Sequence, residues 1–101
     1  MKKISNNLKY KNIIITGGFG FFGSQITKAL LDEKANVYII DINKPKGKNN
    51  AKFFNTDITK EDQLKKVLNF FKSKKKKIDV LINNAGTNIP EHFLKIRKQD
   101  M

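Results

Sequence analysis

The stretch "NIIITGGFGFFGSQI", residues 12–26, is an apolar run that breaks into spaced glycines and resumes as a helical pattern. Residues 12–16 (NIIIT) are β-branched and bounded by glycine, as expected of a short strand buried on both faces. From Gly23 to about Glu33, Ile26, Leu30 and Leu31 recur at helical spacing with Ala29 between them, so one face of a helix is apolar. The segment therefore reads as strand, glycine turn, helix.

The same alternation continues along the chain. Residues 36–42 (NVYIIDI) form a second apolar run, followed by "NKPKGKNN", a Pro/Gly/Asn loop without periodicity. A short third strand spans 52–55 and leads into "TDITKEDQL", where Thr59 is expected to cap a helix with Asp62 at its third position. Leu64, Val67, Leu68 and Phe71 then share one face, and "IDVLINNAG" supplies a fourth strand over 78–83. After Gly86 the chain turns polar, with one short helix expected around 91–98. The order β-α-β-loop-β-α-β, with strands this apolar, implies an α/β fold: a doubly wound parallel sheet covered by helices on both faces.

Composition narrows the function classes. A length of 101 residues allows one small domain. The absence of cysteine excludes disulfides, thiolate metal sites and cysteine nucleophiles. "MKKISNNLKY" is positively charged but is not followed by a signal-peptide apolar stretch. No run approaches the ~20 apolar residues of a membrane span, so the expectation is a soluble, cytoplasmic protein without a membrane partner. The formal net charge of +12 invites nucleic acid as a partner. Lysine supplies nearly all of it, however, and Arg97 is the only arginine, whereas nucleic-acid readers lean on arginine for bidentate contacts. The abundance of lysine, asparagine and isoleucine is what AT-rich coding sequence produces by itself. No aromatic platform or recognition helix accompanies the charge. We read the lysines, including the run Lys72 to Lys77, as solvated surface and nucleic acid as a disfavoured partner.

Gly17, Gly20 and Gly23 have G-x-x-G-x-x-G spacing, a relative of the dinucleotide fingerprint with one extra residue between the first two glycines. In that fingerprint the first glycine turns tightly off the strand, the second lets backbone approach a pyrophosphate, and the third lets the helix pack close to the sheet. The helix N-terminus then faces the phosphates with unpaired N–H groups and partial positive charge. Asp41 closes the second strand 24 residues after Gly17, where a carboxylate accepts hydrogen bonds from an adenosine ribose diol. Its charge opposes a 2′-phosphate and favours NAD over NADP, while Lys44, Lys46 and Lys48 just beyond it leave NADP open.

Four stretches in order resemble the short-chain dehydrogenases/reductases: "TGGFGFFG" (16–23), "DI" (41–42), "DI" (57–58) and "NNAG" (83–86). The match covers roughly residues 10 to 90. The resemblance implies a Rossmann-like fold, of which 1–101 would be the N-terminal, NAD(P)-binding portion. It implies that Gly17, Gly18, Phe19, Gly20, Phe22 and Gly23 wrap the pyrophosphate, and that Asp41 and Ile42 meet the adenosine ribose. Asp57 would bond the adenine amino group with Ile58 beside the ring. Asn84, Ala85 and Gly86 would line the cofactor ribose. The two-and-two glycine spacing is that of the extended branch, which includes sugar epimerases and dehydratases, whereas "NNAG" belongs to the single-domain branch.

In this family catalysis depends on a serine and a Tyr-x-x-x-Lys pair that follow the Asn-Asn-Ala-Gly strand. The chain ends 15 residues beyond Gly86. Its tyrosines, Tyr10 and Tyr38, have no lysine four residues on. Ser5, Ser24 and Ser73 lack a catalytic context, although Ser24 could help cap the glycine helix, and His92 has no evident partner. No catalytic residue and no metal site can be named. The expectation is a fragment of an NAD(P)-dependent oxidoreductase acting on an alcohol or carbonyl, with sugars among the candidate substrates, inactive by itself, with the edge of its fourth strand and one sheet face uncovered. The full-length protein would be homo-oligomeric with a small-molecule substrate. The alternatives are a sugar epimerase or dehydratase of the extended branch and a non-catalytic nucleotide-binding module.

Overall fold

A computed structural model describes residues 7–43 and 50–84. Four strands and two helices alternate: β1 (Asn12–Thr16), α1 (Phe21–Asp32), β2 (Asn36–Asp41), β3 (Lys52–Asn55), α2 (Glu61–Ser73) and β4 (Val80–Asn83). All strand pairs are parallel, in the order β3-β2-β1-β4. The chain builds outward from β1 to β3, then crosses over α2 to place β4 on the other side of β1. That reversal opens a crevice at the C-terminal ends of β1 and β4, where open parallel sheets bind ligands.

Side-chain alternation along the strands assigns the two faces. Ile14, Tyr38 and Ile40 point to the α2 side, where Leu64, Val67, Leu68 and Phe71 close over them. Ile13, Ile15, Val37 and Ile39 point the other way and meet Ile26, Leu30 and Leu31 of α1. Among the described residues each face thus carries one helix. β4 lies at the sheet edge, with Val80 36% exposed and Leu81 and Ile82 half-buried.

Where element ends differ from expectation, local chemistry explains it. α1 begins at Phe21 instead of Gly23, because Phe21 and Phe22 are exposed and contribute nothing to the apolar stripe that marks the helix. Ser24 does not cap it: its hydroxyl donates to the Phe21 carbonyl. Thr59 does not cap α2 either. Lys60 is the N-cap, without a side-chain bond, and Gln63, not Asp62, stands third in the helix. β2 stops at Asp41, and Ile42 is 66% exposed. β4 starts at Val80 because Asp79 substitutes for ladder pairing at its entry: its N–H donates to the Asn12 carbonyl, and its Oδ2 accepts the Asn12 N–H at 2.8 Å. The expected helix at 91–98 lies outside the described residues.

Both helices end in the same motif. Lys34 N–H bonds Leu31 O and Ala35 N–H bonds Leu30 O; likewise Lys75 N–H bonds Lys72 O and Lys76 N–H bonds Phe71 O. This is the Schellman arrangement, which requires a left-handed residue after the cap, usually glycine. Here lysine occupies it, at φ 66° for Lys34 and 53° for Lys75. The left-handed region costs a non-glycine residue about 1 kcal/mol, partly offset by glycine's greater unfolded-state freedom. Lys75→Gly is therefore expected to stabilise the protein by about 0.5 kcal/mol. Lys66→Gly, at an exposed position inside α2, is expected to destabilise it by about 1 kcal/mol. Opposite signs in denaturant unfolding check this; a loss at both positions would refute it.

Candidate functional site

The crevice at the strand ends opens into a cleft of about 700 Å³ lined by four chain segments, within the range of small-molecule and cofactor sites. The turn after β1 supplies Gly17, Phe19, Gly20 and Phe22; the end of β2 supplies Asp41 and Ile42. The turn after β3 supplies Asp57 and Ile58, and Asn84 follows β4. Gly18 and Gly23 do not line it. They lie beneath it, buried, and Ala85 and Gly86 lie outside the described residues.

The glycine turn is built by backbone geometry. Gly17 adopts φ 68°, reversing the chain directly off β1. Its N–H bonds the Ile40 carbonyl at 2.8 Å, and its carbonyl accepts the Gly20 N–H at 3.1 Å. The same carbonyl accepts the Asn84 side-chain amide at 3.1 Å. Thr16, at 1% exposure, locks β4 alongside. Its hydroxyl donates to Asn83 Oδ1 at 3.1 Å and accepts the Asn84 N–H at 3.0 Å. The asparagine pair thus ties β4 to the glycine turn.

Gly20 is unlike its neighbours. It caps α1 in an extended conformation, at φ −74°, that any residue adopts. A Cβ built there meets only the Gly17 carbonyl oxygen, at 3.5 Å. Among the described residues nothing requires glycine at this position, and the space beside it belongs to the cleft. No side chain caps α1, and its first turn holds no acidic residue. The N–H groups of Phe21, Phe22 and Gly23, which have no intrahelical acceptor, therefore carry an uncompensated positive end suited to an anion.

Two carboxylates share the cleft in different states. Asp41 is buried at 8% exposure, and both its oxygens hold backbone: Oδ2 accepts Phe19 N–H at 3.2 Å, Oδ1 accepts Asn43 N–H at 2.9 Å. It braces the glycine turn against the end of β2. Asn55 supports the same corner, its side-chain amide donating to the Ile42 carbonyl at 3.0 Å. Asp57 is half-buried, and its Oδ1 accepts both the Thr59 hydroxyl, at 2.6 Å, and the Thr59 N–H, at 2.9 Å. Those two bonds, the hydroxyl first, hold the Asp57 carboxyl below its ordinary value; burial opposes them, and the Lys60 charge assists.

Two of these residues carry roles that sequence reasoning missed. Thr16 looked like the last strand residue and Thr59 like a helix cap. Thr59 had a legible signal, since Asp-x-Thr forms Asx and hydroxyl turns. A buried hydroxyl bridging residues 67 and 68 positions away in sequence, as at Thr16, leaves no local trace.

The donor set fits a dinucleotide: an uncapped helix end behind a glycine whose Cβ space is open, flanked by two carboxylates and the apolar Ile42 and Ile58. The short chain dehydrogenase family model matches residues 11–101. The chain belongs to the short-chain dehydrogenase family. This oxidoreductase family includes sorbitol-6-phosphate 2-dehydrogenase of Klebsiella pneumoniae, 36% identical over 83% of this chain and 33% of that protein. A short-chain dehydrogenase of Leptospira borgpetersenii, solved with bound NAD+, shares the fold at TM-score 0.78 and 24% identity, over 99% of this chain and 43% of that one. A D-mannonate oxidoreductase, so named provisionally, from Haemophilus influenza, solved with NAD, superposes at TM-score 0.66 and 34% identity over 83% of this chain and 34% of its own. The chain spans about a third of the length of the curated relatives it matches, between 33% and 37% for the first three. Among the described residues no helix is long and apolar enough to cross a membrane, and no cluster of side chains could hold a metal.

Proposed function

We propose that residues 1–101 are the NAD-binding portion of a dehydrogenase or reductase acting on an alcohol or carbonyl of a small molecule. The observation that carries this reading is the convergence on one cleft of the uncapped α1 N-terminus, the open Gly20 and the two carboxylates Asp41 and Asp57. In this reading the pyrophosphate lies against Gly17, Gly20 and the first turn of α1. Asp41 faces the adenosine ribose, and Asp57 with Ile58 borders the adenine. Asn84 borders the second ribose, with Ala85 and Gly86 beyond it.

When bound, the nicotinamide donates or accepts a hydride. The residues of this chain bind and orient. Tyr38 supplies no phenol to the cleft, since it is 3% exposed and packs edge-to-face on Phe71 at 4.7 Å. Tyr10 stands before β1, at the opposite end of the sheet from the cleft. Neither tyrosine therefore offers its phenol to the cleft.

Saturating NAD at about a hundredfold above its dissociation constant is expected to stabilise the protein by about 2.7 kcal/mol. That raises the unfolding midpoint by about 14 °C, and NADP is expected to raise it less because Asp41 opposes the 2′-phosphate. A midpoint unmoved by either dinucleotide in scanning calorimetry would sink the proposal.

A further inference from the structure

Asp41 and Asp57 border the same cleft, yet they differ in what they still have to offer. Both Asp41 oxygens already accept backbone N–H groups from either side of the cleft. Asp57 concentrates both of its bonds on one oxygen, Oδ1, which takes the Thr59 hydroxyl and the Thr59 N–H. Among the described residues no donor is bonded to Asp57 Oδ2. The Asp57 backbone is held as well, its N–H donating to Gln63 Oε1 at 2.7 Å from the first turn of α2. Ile58, buried beside it, and Ile42, 66% exposed across the cleft, offer apolar surface to a flat ring.

We infer that Thr59 is a positioning residue: by occupying Asp57 Oδ1 it fixes the carboxylate with Oδ2 open to the cleft, so that the site selects a base bearing an exocyclic amine over one bearing a carbonyl there. The inference rests on the dinucleotide reading above and deepens it. An ionised carboxylate only accepts hydrogen bonds. Facing an amine, Oδ2 gains a charge-assisted bond; facing a carbonyl oxygen, it opposes a second acceptor. Sites built to pair with a substrate donor reject analogues lacking it more strongly than shape alone allows. That rejection depends on the carboxylate staying in place, and the 2.6 Å Thr59 hydroxyl bond is what resists its rotation. The lowered Asp57 pKa, caused first by the same hydroxyl, keeps the group an acceptor under mildly acidic conditions.

The probes are NAD and nicotinamide hypoxanthine dinucleotide, which replaces the adenine amine by a carbonyl and turns the adjacent ring N1 from an acceptor into an N–H. Titration calorimetry is run with the intact chain, with Thr59→Val, which keeps the backbone N–H but removes the hydroxyl, and with Thr59→Ser, which restores it. Thr59 is exposed, and Thr59→Ala serves the same comparison if valine is not accommodated. The intact chain is expected to prefer NAD about tenfold. Thr59→Val is expected to reduce the preference to about threefold or less, and Thr59→Ser to restore it. Thr59→Val weakening both ligands equally, with the preference intact, would make the residue merely structural and overturn the inference. An intact chain that binds NAD without preference also overturns it while leaving the dinucleotide reading standing. An intact chain that binds neither ligand overturns both.

Discussion

Gly23→Ala is expected to cost about 3 kcal/mol of folding stability, at the high end for an overpacked interior position. The methyl group would overlap the Gly17 carbonyl oxygen and would also lie 2.7 Å from Asn84 Nδ2 and 2.9 Å from Gly18 Cα. Two of these three neighbours are backbone, and the third, the Asn84 amide, is bonded to the Gly17 carbonyl. The Gly17 carbonyl holds both the Gly20 N–H and the Asn84 amide, so displacing it breaks the turn and the tie to β4 together. Moving α1 away instead lifts Ile26, Leu30 and Leu31 off Ile13, Ile15 and Ile39. Either route sacrifices packing that a chain of 101 residues cannot easily replace. The unfolding midpoint is expected to fall by about 15 °C. A loss below about 1 kcal/mol in denaturant unfolding would mean that α1 slides freely on the sheet, and would refute the close-packing role given to Gly23.

That role was legible in the sequence, and so was most of the architecture. β1 and β3 lie where their β-branched and aromatic runs put them, and the parallel order follows from strands apolar on both faces. The reason is physical: a strand buried on both sides and a helix buried on one leave different periodicities. What the pattern could not carry were contacts whose partners are remote. Asp79 replacing a rung at the start of β4, or Thr16 bridging β1 to both asparagines, depends on a register that exists only once the sheet forms. Thr59 was misplaced for a related reason. Threonine before an acidic turn is compatible with capping a helix or with closing a turn on the preceding aspartate, and the 2.6 Å bond to Asp57 decides for the turn. The candidate site divides in the same way: its glycines and carboxylates stand out by type and spacing, while the division of labour among the glycines does not. Gly18 illustrates it, since a Cβ there would sit 2.6 Å from the Ile39 side chain, on the packed side of the turn away from the cleft.

Gly20→Val completes the contrast with Gly23, because the two glycines are three residues apart and are expected to fail in opposite ways. At Gly20 the backbone is extended, with φ −74° and ψ 177°, a conformation that valine adopts readily. Its Cβ has room, the nearest atom being the Gly17 carbonyl oxygen at 3.5 Å. The folding cost should therefore be that of a poorer N-cap alone, about 1 kcal/mol. The branched side chain would instead fill the space in front of the Phe21, Phe22 and Gly23 N–H groups, where the proposed pyrophosphate lies. With the anion held off the helix end, NAD affinity is expected to fall at least about a hundredfold, equivalent to about 2.7 kcal/mol. Measured together, unfolding and NAD titration separate the two glycines: Gly23→Ala loses the fold, whereas Gly20→Val keeps the fold and loses the ligand. Retention of near-native NAD affinity by a folded Gly20→Val protein would show that the dinucleotide does not pass over the first turn of α1, and the phosphate seat would have to be sought elsewhere in the cleft.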